Sequence, residues 1–383
     1  MFMKRLTILS FLFFSYFVQG YAATPFHCEP QQCVIVIDAG SSGSRLHLFH
    51  FERDEAHRPV HIEEQFSKKI RPGFASLELK QESINAYLQQ LFADLPATDA
   101  VPVYFYATAG MRLLPQNKQR AYYAALQEWF TAGGEYPLAQ AKTITGKEEG
   151  LYAWLTVNYQ LGAFDDGAHP FVAVMDTGGA SVQIALPVLA REDMGADDLL
   201  DLDVAGRHLT LFVHSFLGLG QNLLTQQFLD AEHCFTNGYQ LPNGHAAVGN
   251  AYECQMEVSQ LINSVHGVER LVRPAMAQKA TDEWYAIGGL AALVHDQSAV
   301  FPQQQLSPHS LLEQANNQFC QVAWSDLEAR NPQNDYLFSA CLMSSSYTAL
   351  MVQGYGINPD TPIHFLSQEQ NGDWTLGVVL QQN

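Results

Sequence analysis

Short apolar runs that break into glycine- and serine-rich turns set the pattern of this 383-residue chain. Residues 34–37 are one such run. It ends in Asp38-Ala39-Gly40-Ser41-Ser42-Gly43-Ser44-Arg45, and Leu46, Leu48 and Phe49 then resume the pattern, which predicts a buried strand, a tight turn and a returning strand. Residues 171–175 repeat the arrangement, entering Asp176-Thr177-Gly178-Gly179-Ala180-Ser181 and leaving through Val182, Ile184 and Leu186. Between the two, Ile84, Tyr87, Leu88, Leu91, Phe92 and Leu95 recur at three- and four-residue spacing, so a helix within residues 77–95 crosses over to a strand at 101–106. Thr145-Gly146-Lys147-Glu148-Glu149-Gly150 opens another helix, with Leu151, Trp154, Leu155 and Tyr159 on one face and a stop near Gly162. Further on, residues 217–229 and 309–324 read as helical and 237–250 as loop.

One Asp-x-Gly turn between apolar strands arises easily by chance; two with matching flanks do so much less often. The repeat implies two similar α/β halves, each a mixed sheet with helices on its faces, offering one turn apiece to a ligand in the cleft between them. The expected division is residues 24–149 plus 355–383 in the first half and 150–354 in the second. A composition of 47% hydrophobic and 15% charged residues suits two ordinary cores.

Lys4 and Arg5, an apolar run over residues 6–18 and small residues at Gly20, Ala22 and Ala23 have the layout of a secretory signal peptide ending at 23. The alternative, a membrane anchor, is disfavoured because a span needs about 20 apolar residues. Six cysteines in an exported chain then suggest three disulfides, with sequence-local pairing of Cys28 to Cys33, Cys234 to Cys254 and Cys320 to Cys341 the simplest arrangement. There is no Asn-x-Ser/Thr triplet, which points towards a bacterial protein, secreted or periplasmic. The net charge of −19 disfavours nucleic acid or an anionic membrane as partner. It also sets an unfavourable long-range field for a polyphosphate, which a metal ion and locally aimed amides have to overcome. A monomer without a membrane anchor is expected.

Small turns let backbone N–H groups and hydroxyls approach phosphate oxygens, which is the functional reading of Gly40, Ser41, Ser42, Gly43, Ser44 and Arg45 and of Gly178, Gly179, Ala180 and Ser181. An ordinary hairpin explains either turn alone equally well. Asp38 and Asp176, one at the mouth of each turn, can together hold a hydrated Mg²⁺ or Ca²⁺ against the phosphates, since oxygen-only ligation favours hard cations. Glu149 lies in a helix first turn, where the dipole favours the ionised form a general base requires. Its neighbour Glu148 fits a capping box with Thr145.

Four stretches, 37–45, Tyr106-Ala107-Thr108-Ala109-Gly110-Met111-Arg112, 145–150 and 175–183, resemble in order and spacing the first four conserved regions of the ecto-apyrases, or nucleoside triphosphate diphosphohydrolases, within the actin and sugar-kinase superfamily. The fifth region is looser, around Phe338-Ser339-Ala340-Cys341. The resemblance implies two actin-like (ribonuclease H-like) domains and metal-dependent removal of terminal phosphates from ATP, ADP, GTP, GDP and related nucleotides. It also implies Glu149 as catalytic base, Ser181 and Gln183 as water-positioning residues and Thr108 near the transferred phosphate, with Arg112 either neutralising charge there or bracing its loop. Gly288 and Gly289 resemble the superfamily's adenosine motif. Tyr336 and Trp374 are candidates for stacking on the base, against the alternative that each packs in the core. Two competing readings are another phosphotransferase on this fold, such as a sugar kinase or polyphosphatase, and a non-catalytic nucleotide-binding protein.

Overall fold

The structure, a computed structural model, describes residues 28–381 apart from 30, 97–99, 134, 166–168, 297, 299–300, 303–304, 368–369 and 371. The expected signal peptide lies outside the described residues. The first sheet contains β1 (Cys33–Ala39), β2 (Ser44–Arg53), β3 (Pro59–Ile70), β4 (Val103–Ala107) and β5 (Leu138–Thr143), in the order β3-β2-β1-β4-β5. Antiparallel hairpins join β1 to β2 and β2 to β3, while β4 and β5 add in parallel through crossover helices. The second sheet holds β6 (Ala173–Thr177), β7 (Ser181–Val188), β8 (Leu199–Val204), β9 (Arg207–Leu217), β10 (Trp284–Gly288), β11 (Gln305–Leu306) and β12 (Ile363–His364), ordered β11-β12-β10-β6-β7-β9-β8.

Its central five strands, β9-β7-β6-β10-β12, copy the first sheet strand for strand: β6 and β7 are antiparallel, as are β7 and β9, and β10 and β12 are added in parallel. The expected repeat is therefore a duplicated mixed sheet. Its register is duplicated too, because Asp38 stands opposite Arg45 as Asp176 stands opposite Gln183.

The helices Gln81–Phe92 and Gln116–Gly133 cover one face of the first sheet, burying Ile84, Leu88, Leu91, Leu126 and Phe130 against Ile35, Ile37, Leu46 and Phe105. The helix Gly146–Gln160 is buried on all sides from Glu149 to Asn158. It packs against β6, β7 and β9 on one side and against the C-terminal helix Thr375–Val379 on the other, and that helix in turn rests on β1 and β2. A helix between two layers has no solvent face, so its apolar residues spread beyond the single stripe read from the sequence. Its start is the expected capping box: Thr145 accepts from the Glu148 N–H while Glu148 accepts from the Thr145 N–H.

All three disulfides join the locally expected pairs. Three expectations shift. Leu217 ends β9, so the helix expected from there begins at Gln221. The helix Pro308–Ala315 continues as a wider turn, Asn316–Cys320, and breaks before Trp324. The C-terminal segment assigned to the first half from 355 first contributes β12 to the second sheet, because Ile363 and His364 pair with Trp284 and Tyr285. Only after that strand does the chain return to β1 and β2.

Candidate active site

Between the two sheets lies a cleft of ≈ 800 Å³ lined by both turns. The turns face each other so closely that a Cβ on Gly179 would stand 2.5 Å from Ser41 Oγ, across the lobe boundary. Around the second turn, the carbonyls of Gly178, Gly179 and Ala180 accept from the N–H groups of Gln221, Asn222 and Gly218. Their oxygens are thereby engaged elsewhere, and an anion meets less lone-pair repulsion. Thr177 Oγ1 donates to the Ile287 carbonyl at 3.0 Å and accepts from the Leu290 N–H at 2.8 Å, tying this turn to Gly288-Gly289, which also line the cleft.

Asp38 and Asp176 sit at the ends of β1 and β6, and both line the cleft. Burial pushes both carboxyls well above the usual carboxylate range, with Asp373 and then Glu149 adding to the effect at Asp38, and Glu149 and then Asp373 at Asp176. One oxygen of Asp38, Oδ1, is buried without a hydrogen-bond partner among the described residues. A buried acidic pair of this kind is a place where a cation is favourable.

Glu149 is 6% exposed. Its Oε2 accepts from Arg112 Nη2 and, at 3.1 Å, from Gln183 Nε2. Gln183 Nε2 also lies 2.8 Å from Ser181 Oγ and 3.0 Å from Ser215 Oγ, and Arg112 Nη2 lies 3.2 Å from Ser181 Oγ. Burial raises the Glu149 carboxyl, and Arg112 opposes the rise. Thr108 is buried at the cleft wall, and its carbonyl accepts from the Met111 and Arg112 N–H groups that start the short helix Ala109–Arg112.

The structure brings Asp38, Thr108, Glu149, Asp176, Ser181 and Gln183 together, moves Ser44 off the cleft and separates the alternatives left open for Arg112 and Trp374. Ser44 is fully buried and absent from the cleft wall, because as the first residue of β2 it alternates away from Arg45. Arg112 lies behind Glu149, paired with it, rather than on the wall facing a phosphate. Trp374 borders the cleft but is 5% exposed and stacks on Tyr152 at 6.0 Å, the packing alternative. Tyr336 stays at the cleft mouth, 38% exposed, with the Arg71 guanidinium 5.0 Å from its ring centre.

Sequence reasoning missed a group beside the first turn. Arg45 Nη1 donates to Asp373 Oδ2 at 2.9 Å. His47 stands 3.4 Å from the same oxygen through Nε2 and bonds Glu64 through Nδ1. Burial lowers the His47 pKa, but Asp373 and Glu64 overcome it and push it up to about 9. Burial likewise raises the Asp373 carboxyl, and His47 and Arg45 overcome that, holding it well below the usual range. The signal available was faint: a lone polar residue between Leu46 and Leu48 on a strand buried on both faces, and an Asp two residues before a helix.

Duplicated sheets, facing turns and a buried carboxylate between them define a two-lobed protein of the actin-like class. Solved structures share that architecture. The chain superposes on nucleoside triphosphate hydrolases from Neospora caninum with a TM-score of 0.61 at 15% identity, over 91% of this chain and 92% of that one. It superposes on an Aquifex aeolicus member of the Ppx/GppA family with a TM-score of 0.55 at 14% identity, over 91% and 96%. At such identities the likeness is one of fold. The chain belongs to the GDA1/CD39 (nucleoside phosphatase) family, whose model matches residues 26–383. Relatives include ectonucleoside triphosphate diphosphohydrolase 1 of Mus musculus, 26% identical over 408 residues that cover 90% of this chain and 80% of the relative. Another is the Golgi apyrase of Saccharomyces cerevisiae, 34% identical over 233 residues, 51% of this chain and 37% of the relative.

Proposed function

We propose that the protein is a nucleoside triphosphate diphosphohydrolase that removes the terminal phosphates of nucleoside tri- and diphosphates one at a time, ending at the monophosphate. The observation that carries this reading is the buried Glu149, held by Arg112 and Gln183, between two facing glycine-rich turns. Both donors occupy Oε2, which leaves Oε1 to take a proton from water. Burial makes the carboxylate more basic, and the Arg112 guanidinium keeps it ionised. The water oxygen bonds to the terminal phosphorus as the bond to the leaving diphosphate or monophosphate oxygen breaks, and the water's proton passes to Glu149. Ser181 Oγ and the Gln183 side chain aim that water, while the turns at 40–43 and 178–180 orient the phosphates.

Asp38 and Asp176 fit a hard divalent cation, Mg²⁺ or Ca²⁺, by their oxygen donors and by the unpartnered Asp38 Oδ1. Among the described residues there is no group of three or more His, Cys, Asp or Glu that could hold a metal; in this reading the two aspartates would hold the ion through water. When bound, the ion supplies charge neutralisation on the phosphate oxygens. Tyr336 and the Gly288-Gly289 backbone are the nucleoside side of the site, with Arg71 over the Tyr336 ring. Export is supported by the leader-like first 23 residues and by three disulfides. Among the described residues no helix is long and apolar enough to cross a membrane.

The test is phosphate release from ATP and ADP by the purified protein, with and without EDTA, beside Glu149→Gln. Loss of release in both controls, with AMP accumulating in the wild type, supports the reading. A folded wild type that releases nothing removes it, and an active Glu149→Gln removes the base assignment alone.

A further inference from the structure

Arg45 is the first-lobe counterpart of Gln183: each stands directly opposite the aspartate one residue before the end of its lobe's first strand. In the second lobe that position bonds the buried Glu149. In the first it is a cation lining the cleft, with its side chain 38% exposed and Lys69 opposite it on β3. Yet Arg45 is not left to an incoming phosphate. Asp373 arrives from the far end of the chain and accepts from Arg45 Nη1 at 2.9 Å.

Asp373 is built into place. Its side chain is 9% exposed, its Oδ1 accepts from the Thr375 N–H at 3.1 Å, and its carbonyl accepts from Thr156 Oγ1 at 3.2 Å. The last two bonds fasten it to the C-terminal helix and to the Gly146–Gln160 helix, both rigid interior elements. Two residues along the same face of β2, the 2% exposed His47 faces the same Oδ2 and is itself held by Glu64. Asp373 therefore has a fixed position with Arg45 and His47 beside it; both border the cleft, but His47 is 2% exposed against 38% for Arg45, so Arg45 is the one of the two with surface open to an incoming phosphate.

We infer that Asp373 is a positioning residue that competes with phosphate for Arg45 and so weakens the cleft's hold on its phosphate product. The inference rests on the reading that phosphates sit at the first turn. With phosphate present, Arg45 turns from Asp373 to the phosphate oxygens, and His47 remains as the counterion of Asp373. On product departure Arg45 returns to Asp373. An enzyme whose product is an anion gains turnover from such a competitor, since a cation without one binds orthophosphate too well to release it.

The experiment measures competitive inhibition of ATP hydrolysis by orthophosphate in wild type, Asp373→Asn, Arg45→Gln and the double variant, with unfolding followed alongside. Asp373→Asn is expected to lower the inhibition constant for phosphate about three- to tenfold and to lower KM and kcat together, the size expected of a half-exposed ion pair of good geometry. A merely structural loss raises KM and does not tighten phosphate. In the Arg45→Gln background the same change is expected to have no effect on phosphate. Asp373→Glu, which keeps the charge, is expected to restore the wild-type constant. Unchanged or weaker phosphate inhibition in Asp373→Asn overturns the inference, as does equal tightening without Arg45, which reduces the effect to the general field. If Asp373→Asn does not fold, His47→Gln reads the opposite sign: without that imidazole Asp373 holds Arg45 more tightly, and phosphate inhibition must weaken. Failure of orthophosphate to compete with ATP in the wild type instead removes the underlying placement of the phosphates.

Discussion

Two opposed forces act on the carboxyl of Glu149, the proposed general base. Burial at 6% exposure raises its pKa, while Arg112 pulls the other way. The general base acts only when ionised, so activity is lost as pH falls through its folded pKa. Removing the guanidinium takes away the lowering influence and leaves burial unopposed. Arg112→Gln is therefore expected to move the acid limb of the kcat/KM profile to higher pH, in addition to lowering its plateau. A limb that stays where it was in the wild type means that Arg112 does not govern the charge of this carboxylate.

At the level of elements, the duplicated strand-turn-strand unit does the positioning. A strand places alternate side chains on one face, so Asp38 and Asp176, each one residue before the end of β1 or β6, share a face with their cross-strand partners Arg45 and Gln183. The second unit is locked further by Gly288, which ends β10 at φ +74. A Cβ there would lie 2.6 Å from both Asp176 Oδ1 and the Thr177 carbonyl oxygen. Gly288→Ala is expected to cost about 1–3 kcal/mol in urea unfolding, through left-handed backbone strain, and to displace Asp176. Activity should fall more than stability does, and recovery at high Mg²⁺ or Ca²⁺ is the sign that the displaced carboxylate was serving the cation. A variant of wild-type stability and activity contradicts this account of the close approach.

Over the whole molecule, the two lobes are joined by the Gly146–Gln160 and Thr375–Val379 helices, while two disulfides fasten helices of the second lobe away from the cleft. Cys234–Cys254 closes a sequence separation of 20, and Cys320–Cys341 one of 21. A loop of that size gives about 3 kcal/mol of chain-entropy stabilisation. Replacing Cys234 and Cys254 together by alanine is thus expected to lower unfolding stability by about that amount. Neither residue lines the cleft, so phosphate release under native conditions should persist. Loss of activity with unchanged stability is the outcome that separates this bridge from a remote brace and makes it part of the site.

Much of this architecture was legible in the chain because it depends on short-range regularities. Strand alternation, the two Asp-x-Gly turns, the Thr145–Glu148 capping box and the local cysteine pairs are each formed by residues within a few turns or one hairpin of each other. Their hydrogen bonds and covalent reach leave few alternatives. The roles that needed the folded molecule concern partners far apart in sequence. Asp373 meets Arg45 across 328 positions. Arg112 finds Glu149 only because two crossovers bring their helices together, and only the fold decides between stacking on a base and packing for Trp374, whose ring meets Tyr152. Ser44 turned inward for a local reason, the parity of β2, which depends on the residue at which the strand begins. The sequence by itself determined which groups stand at the ends of strands and turns, since that follows from periodicity and capping. Only the tertiary structure decided which charge neutralises which, because a buried ion pair is set by proximity in space and by the loss of water around it, and neither is a property of neighbouring residues.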